Sequence, residues 1–297
     1  MHWAILPDSF KGLMSAAFLL GTPTVIGALT ILGLKDKNPS ILRMMFSPWI
    51  TVALMLFGCA ITLLEGSICL VIMAPLFLLL ASIGGLVMGL TIRFTNRTRS
   101  ELSSVALLPM LMLMADSNLP VQPRVLELRR SVEVKAPPQV IWKEILEARN
   151  IHPEELPLSF PHLIGVPKPV EGINFQTPEG EVRQSRWEKG VNFVGIVTSR
   201  DDNHSIGWRY AFNAHSFPKG SMDDHVAIGG KYYDILDTTF NLTPADGQVT
   251  RLEIVAHYKV NSCINFYAIP ISRWMGNSFI DSILGLYKSR SEHRHSI

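Results

Sequence analysis

The feature that most constrains this chain is a series of four apolar runs ahead of Val121. They are "LMSAAFLLGTPTVIGALTILGL" (13–34), "PWITVALMLFGCAITLL" (48–64), "SICLVIMAPLFLLLASIGGLVMGLTI" (67–92) and "LSSVALLPMLMLMA" (102–115). A helix needs about 20 residues, with a range of roughly 17–25, to cross a hydrocarbon core of about 30 Å. The first three runs meet that length. The fourth has 14 residues with Pro109 near its centre, so it reads as either a span or a re-entrant or interfacial helix. A cleavable signal would show a basic start, a single short apolar stretch and a small-residue cleavage site. A long first run followed by further runs instead predicts a permanent multi-span region of about four helices over 1–117.

Basic residues in short loops orient such a region. Lys35, Lys37 and Arg43 lie between the first two runs, and Arg93, Arg97 and Arg99 follow the third, whereas the turn between the second and third carries only Glu65. Both basic loops are therefore expected on the cytoplasmic side. If the fourth run spans, the remainder of the chain lies outside, which is periplasmic in a Gram-negative cell; if it does not, the remainder is cytoplasmic. We expect the former. Glu65 is read as an interfacial turn residue in "LLEGS" rather than an intramembrane functional carboxylate, and "GGLVMG" (84–89) offers small-residue spacing suited to close helix packing.

Composition changes sharply after residue 120. Only 7 of the 27 basic and 5 of the 25 acidic residues precede Val121, so the remainder is charge-balanced. That gives no basic footprint for a nucleic-acid backbone. Cys59, Cys69 and Cys263 form no CxxC pair and no disulfide framework. Residues 116–126 are proline-bearing and aperiodic, a linker, drawn at 118–127 ahead of a domain at 128–292.

Period-two alternation follows. In "SIGWRYAF" Ile206, Trp208, Tyr210 and Phe212 share one face. In "VTRLEIVAHYKV" Leu252, Ile254, Ala256, Tyr258 and Val260 oppose Arg251, Glu253, His257 and Lys259, as in a half-buried antiparallel strand. "LRRSVEV", "EVRQSRWE", "VNFVGIVTS" and "KYYDILDTTFNL" add four more strands, and in the last of these Tyr232, Asp234, Leu236, Thr238 and Phe240 fall on one face. "APPQVIWKEILEA" is a short helix, and "PISRWMGNSFIDSILGLYKSR" (270–290) is an amphipathic helix of about 20 residues. The order of strand, helix, antiparallel strands and long helix predicts an α+β domain in which a curved sheet covers the last helix and leaves an apolar cavity.

"VEVKAPPQVIWKEI", "GEVRQSRWEKGVNFVGIVT", "KYYDILDTTFNLTPADGQVTRLEIVAHYKV" and the terminal helix, in that order, resemble the SRPBCC superfamily, also called START or polyketide-cyclase/dehydrase-like. The whole chain is similar to membrane-anchored bacterial members, which implies a multi-pass protein of the inner membrane. The resemblance further implies a helix-grip fold of seven antiparallel strands around the C-terminal helix, with a pocket for a lipid or other hydrophobic small molecule. The superfamily shares no common catalytic set.

Mapped onto that grip, the candidate pocket lining is Arg183, Trp187, Trp208, Tyr210, Phe212, Asp234, Leu236, Phe240, Ile254, Tyr258, Trp274 and Ser278. Each aromatic among them is also readable as plain core. An inward Asp234 would need a partner, for which Arg183 or Arg130 are the candidates. Asp223, Asp224 and His225 are adjacent in a Gly- and Pro-bearing loop and lack a second ligand cluster, so the loop 213–230 reads as a lid or a surface loop rather than a metal site. With no GxSxG elbow, no Cys–His signature and His152, His162, His204, His215 and His257 scattered, no catalytic residue is assigned and no cofactor or metal is expected. The expected function is binding of a hydrophobic molecule by an anchored domain. A cyclase or dehydratase-like enzyme and a membrane-bound interaction or sensor module are the alternatives.

Overall fold

The computed structural model describes residues 15–34, 38–62, 66–95, 103–116, 122–223, 228–246 and 248–295. The chain divides into two compact units, one of residues 1–122 with 262–267, the other of 123–261 with 268–297.

The first unit is helical. A π-turn at Ala17–Gly21 leads into α1 (Thr22–Gly33), followed by α2 (Ile41–Ile61) and α3 (Ser67–Phe94); a 3₁₀ turn at Ser104–Leu107 leads into α4 (Leu108–Asp116). Among the described residues α2 and α3 are the two helices long and apolar enough to cross a membrane. Close packing depends on glycine, because a Cβ on Gly27 would overlap the carbonyl of Ala81, and one on Gly84 that of Thr24. Backbones that approach this closely are typical of helix contacts through small residues. Ser82 joins two helices by accepting from Trp49 Nε1 (2.8 Å) while donating to Met45 O (2.9 Å). Large apolar side chains nevertheless point away from the bundle. Ile50, Leu54, Phe57 and Ile61 form an exposed stripe along α2, each more than 60 % accessible.

Arg93 donates to Pro39 O (3.0 Å), so the loop before α2 and the end of α3 lie at one end of this bundle. The fourth run starts near that end, with Val105 packed against the Ile31, Leu32 and Met88 cluster. It finishes beside Gly21, whose added Cβ would meet Met112 Sδ at 3.0 Å. At nine residues α4 falls short of the expected span. Glu65 lies outside the described residues.

The second unit contains β1 (Arg124–Val134), α5 (Pro138–Leu146), β2 (Glu147–Ala148), α6 (Phe160–Leu163), β3 (Pro169–Thr177), β4 (Gly180–Trp187), β5 (Asn192–Asp201), β6 (Ser205–Ala211), β7 (Tyr233–Ala245) and β8 (Val249–Val260); α7 (Asn265–His295) enters it from Ala268 onward. One antiparallel sheet runs β1-β8-β7-β6-β5-β4-β3-β2. With the long helix against it, this is the helix-grip architecture. It has eight strands rather than seven because the two-residue β2 pairs with β3 through Glu147 and Ala148. β1 starts at Arg124, four residues ahead of the expected domain boundary and within the expected linker. Inward side chains of β1, β6, β7 and β8 form the main core with Ile141 and Ile145 of α5 and Ile280, Leu284, Leu286 and Tyr287 of α7.

β7 departs from simple alternation. Phe240 pairs with Ile254 and Thr238 with Ala256, but the register slips between Ile235 and Asp237, so Ile235 pairs with Tyr258, Asp234 with Lys259 and Tyr233 with Val260. A β-bulge puts one extra residue on one strand and thereby reverses which parity faces inward. Before Leu236 it is therefore Tyr233 and Ile235 that share the inward register with Tyr258 and Val260. Asp234 lies on the outer face, 3.5 Å from Lys259 Nζ. The expectation of an inward carboxylate is thus corrected, and Leu236, at the slip, has no cross-strand partner in the register.

Candidate functional site

The concave face of the sheet has a closed end and a more open end. At the closed end Trp208 and Ile254 are buried and Phe240 packs between Trp208 and Tyr287, with ring centroids 5.2 and 5.6 Å away. Tyr258, also buried, places its hydroxyl 3.3 Å from Ser272 Oγ. These four aromatic and aliphatic candidates belong to the core.

Arg183 lies on this inner face, on a rung formed by Asn174, Arg183, Gly195 and Tyr210 of four adjacent strands. It is 9 % accessible. Two nearby glycines leave it room. A Cβ on Gly172 would overlap the guanidinium, and one on Gly195 would press on Trp208 Cβ at 3.1 Å. Arg183 Nη1 donates to Ile145 O (2.5 Å) and Asn174 Oδ1 (2.9 Å), Nη2 donates to Tyr287 Oη (3.1 Å), and the guanidinium carbon stands 5.0 Å from the Trp208 ring centroid. Neither Asp234 nor Arg130 completes the pair expected from the sequence. Arg130 reaches Asp281 on α7 instead, through two contacts of 2.8 Å.

The open end is lined by aromatic rings in series. Trp187 meets Phe279 at 5.4 Å and Phe193 at 5.2 Å; Phe193 meets Tyr210, Phe212 and Phe217 at 5.6, 5.4 and 6.4 Å. Phe193 apart, these rings are only partly buried. Tyr210 also bonds to the Thr238 hydroxyl, and burial raises its pKa. Phe217 ties the loop after β6 to this series, and Ser216 and Ile228 of the same loop are buried. Asp224 and His225 lie outside the described residues; among the described residues no group of three His, Cys, Asp or Glu is placed to hold a metal ion.

A residue not singled out in the sequence, His162 of α6, adjoins the series, 5.5 Å from Phe279. Its Nδ1 is 3.0 Å from Val166 O, and because a carbonyl only accepts, the neutral ring carries its hydrogen there. The lone pair is left on Nε2, 3.5 Å from Ser282 Oγ. Burial lowers the pKa of this ring, with the Val166 carbonyl opposing. Ser282 borders an open cleft of about 400 Å³ shared with Arg130, Pro157, Leu158, Trp274, Ser278 and Asp281. Trp274 and Ser278, the expected pocket residues of the helix, line this cleft together with Arg130, which faces Ile254 in the β1–β8 register, and Trp274 is 51 % accessible.

No family profile and no curated protein matches the chain. Solved structures similar to it include a START superfamily protein from Mycobacterium smegmatis (12 % identity, 57 % of this chain and 98 % of that one, TM-score 0.39). An aromatase/cyclase from Streptomyces sp. R1128 is similar at 11 % identity, 58 and 96 % coverage and TM-score 0.36. A norcoclaurine synthase from Thalictrum flavum is similar at 12 %, 60 and 99 % coverage and 0.33. The strand order and the long helix against the sheet make this a helix-grip fold.

Proposed function

We propose that this chain is a membrane-anchored member of the SRPBCC superfamily whose C-terminal domain binds a hydrophobic small molecule or lipid. The observation that carries the reading is the run Trp187, Phe193, Tyr210, Phe212 and Phe217: large rings on a concave face, most of them left partly accessible beside a core that is otherwise closed. Aromatic and apolar walls with a few placed polar groups are the usual lining of small-molecule sites.

Anchoring is supported by the exposed apolar stripe of α2, which a water-soluble bundle would bury. The end of the bundle bearing Arg43 and Arg93 is the cytoplasmic one by the basic-loop rule. The fourth run leads from that end back toward Gly21, which supports a multi-pass region with the domain on the extracytoplasmic side.

Native mass spectrometry of the full chain, released from a non-ionic detergent, tests the binding reading. A discrete apolar adduct should accompany the wild type and be lost from Phe193→Asp. An adduct-free wild type that also shows no saturable uptake of dodecanol or 2-naphthalenemethanol would refute it.

A second reading, an enzyme of the cyclase or dehydratase kind, is favoured by one observation, the neutral His162 with its Nε2 lone pair directed toward Ser282 beside the aromatic run. A fixed tautomer with a depressed pKa suits a general base. Loss of turnover in His162→Gln, with ligand retention intact, is the expected sign; equal ligand conversion by wild type and variant would discard the enzyme reading.

A further inference from the structure

Two arginines in this domain use one edge of the guanidinium to grip a carboxylate as a fork. Arg130 presents Nε and Nη2 to the two oxygens of Asp281, both at 2.8 Å, and Arg290 presents the same two atoms to Glu155 at 2.6 and 2.8 Å. On Arg183 that edge has no carboxylate among the described residues: Nη2 meets the Tyr287 hydroxyl, and the three contacts engage three of its five N–H groups, leaving Nε–H and one Nη2–H. Arg130 is far more exposed than Arg183, so the better-solvated guanidinium has an anionic partner and the buried one lacks it. A buried cation without a counter-charge is costly.

A second donor lies beside it. Trp208, 1 % accessible, has its indole Nε1–H buried without a partner, and its ring lies against the Arg183 guanidinium. Unsatisfied buried donors are uncommon and call for a reason. Both groups occupy inner-face positions: Arg183 shares its rung with Tyr210, at the inner end of the aromatic series, and Trp208 lies two residues before Tyr210 on β6. The charge, the donors and the apolar approach match an amphiphile with one planar anionic head.

We propose that Arg183 and the Trp208 indole N–H form a receptor for the carboxylate of the apolar ligand, with Tyr287 orienting the guanidinium. This rests on the binding reading given above and narrows it to organic acids. A carboxylate offers two coplanar acceptor oxygens, the partner that the same edge has on Arg130 and Arg290. The apolar part would be either a fatty-acyl chain or a fused aromatic ring system, and each shares this head chemistry.

The test uses the full chain in zwitterionic phosphatidylcholine nanodiscs and two acid–alcohol pairs, dodecanoic acid with dodecanol and 2-naphthoic acid with 2-naphthalenemethanol, followed by calorimetric titration against empty discs. At least one acid should bind about tenfold or more tightly than its own alcohol, and which pair does so separates the acyl from the aromatic source. Arg183→Met should abolish that preference. Trp208→Phe, which removes only the N–H and retains a ring, should reduce the preference several-fold, and Arg183→Lys should retain part of it. Equal binding of acid and alcohol by the wild type, or an acid preference that survives Arg183→Met, overturns the carboxylate receptor and leaves the apolar-binding reading in place. Failure of all four probes overturns both. If Arg183→Met does not fold, the Trp208→Phe and Arg183→Lys series decides alone.

Discussion

Two arginine–carboxylate forks of nearly identical geometry allow burial to be separated from bond geometry. Arg290, on α7, grips Glu155 at 2.6 and 2.8 Å, donates to Arg149 O (2.9 Å) and Asn150 O (3.1 Å), and stands 4.0 Å from the fully buried Glu144. Its side chain is 13 % accessible. Arg130 grips Asp281 with both contacts at 2.8 Å, but both side chains are nearly half accessible. Removing one partner of a buried charge cluster costs about 3–5 kcal/mol, because the remaining charge is stranded, whereas an exposed pair contributes about 0–1 kcal/mol. Arg290→Met strands Glu155 and leaves Glu144 with Arg294 alone as its arginine partner. For a unit of this size each kcal/mol shifts the melting temperature by roughly 2–4 °C. Arg290→Met should therefore lower it by about 6–20 °C, and Arg130→Met by less than about 4 °C. The assay is thermal unfolding of the full chain in detergent, followed by near-ultraviolet circular dichroism. Equal shifts in the two variants would refute the assignment of stability to the buried cluster, as would a shift under about 2 °C for Arg290→Met.

Asp234→Asn should leave ligand retention unchanged and stability within about 1 kcal/mol, since the group is outward and its ion-pair partner among the described residues is the partly exposed Lys259; loss of the adduct in native mass spectrometry would restore Asp234 to the site. His257 Nδ1 donates to Asp237 Oδ1 (2.7 Å), its Nε2 lies 3.5 Å from Glu127, and the Asp237 hydrogen bond raises its pKa. A raised folded pKa stabilises the protein fully below the unfolded value of about 6.5 and loses that contribution as pH rises through the folded value. The contribution should stay under about 1 kcal/mol because both groups are partly exposed. Proton titration by NMR should place His257 lower in Asp237→Asn than in the wild type; an unchanged midpoint contradicts the pairing. For topology, a cysteine at the exposed Gln176, in a background with Cys59, Cys69 and Cys263 replaced by serine, should react with a membrane-impermeant maleimide in intact cells. Labelling only after lysis would place the domain inside.

Much of the grip is legible in the sequence because β8 and β6 alternate cleanly, and the same face of Leu252, Ile254, Tyr258 and Val260 that reads as apolar is the one buried. β7 is legible only from Leu236 onward. Its bulge falls within "YDILDT", which contains neither glycine nor proline, so nothing in the residue types marks the slip, and period two carried unbroken turns Asp234 the wrong way. β2 and β3 escaped because two residues have no period, and "PVEGINFQT" is interrupted by a register shift after Pro169. Arg183 was visible as an inward basic residue, but its partners Ile145, Asn174 and Tyr287 come from three separate elements. Trp274 and Ser278 line the open cleft and not the aromatic run, because helical spacing gives the faces of α7 without saying which part of the sheet each one meets. His162 lies on a four-residue helix, too short for any periodic signal.

The pairing of β1 with β8, from Arg124 opposite Val260 to Val134 opposite Thr250, has a consequence for how the protein is made. The first strand of the domain to leave the ribosome bonds only to the last. Roughly 130 residues of chain must follow Arg124 before its partner exists, of the order of ten seconds at about 5–20 residues per second. During that interval β1 is an unpaired edge, available to chaperones and to neighbouring nascent chains.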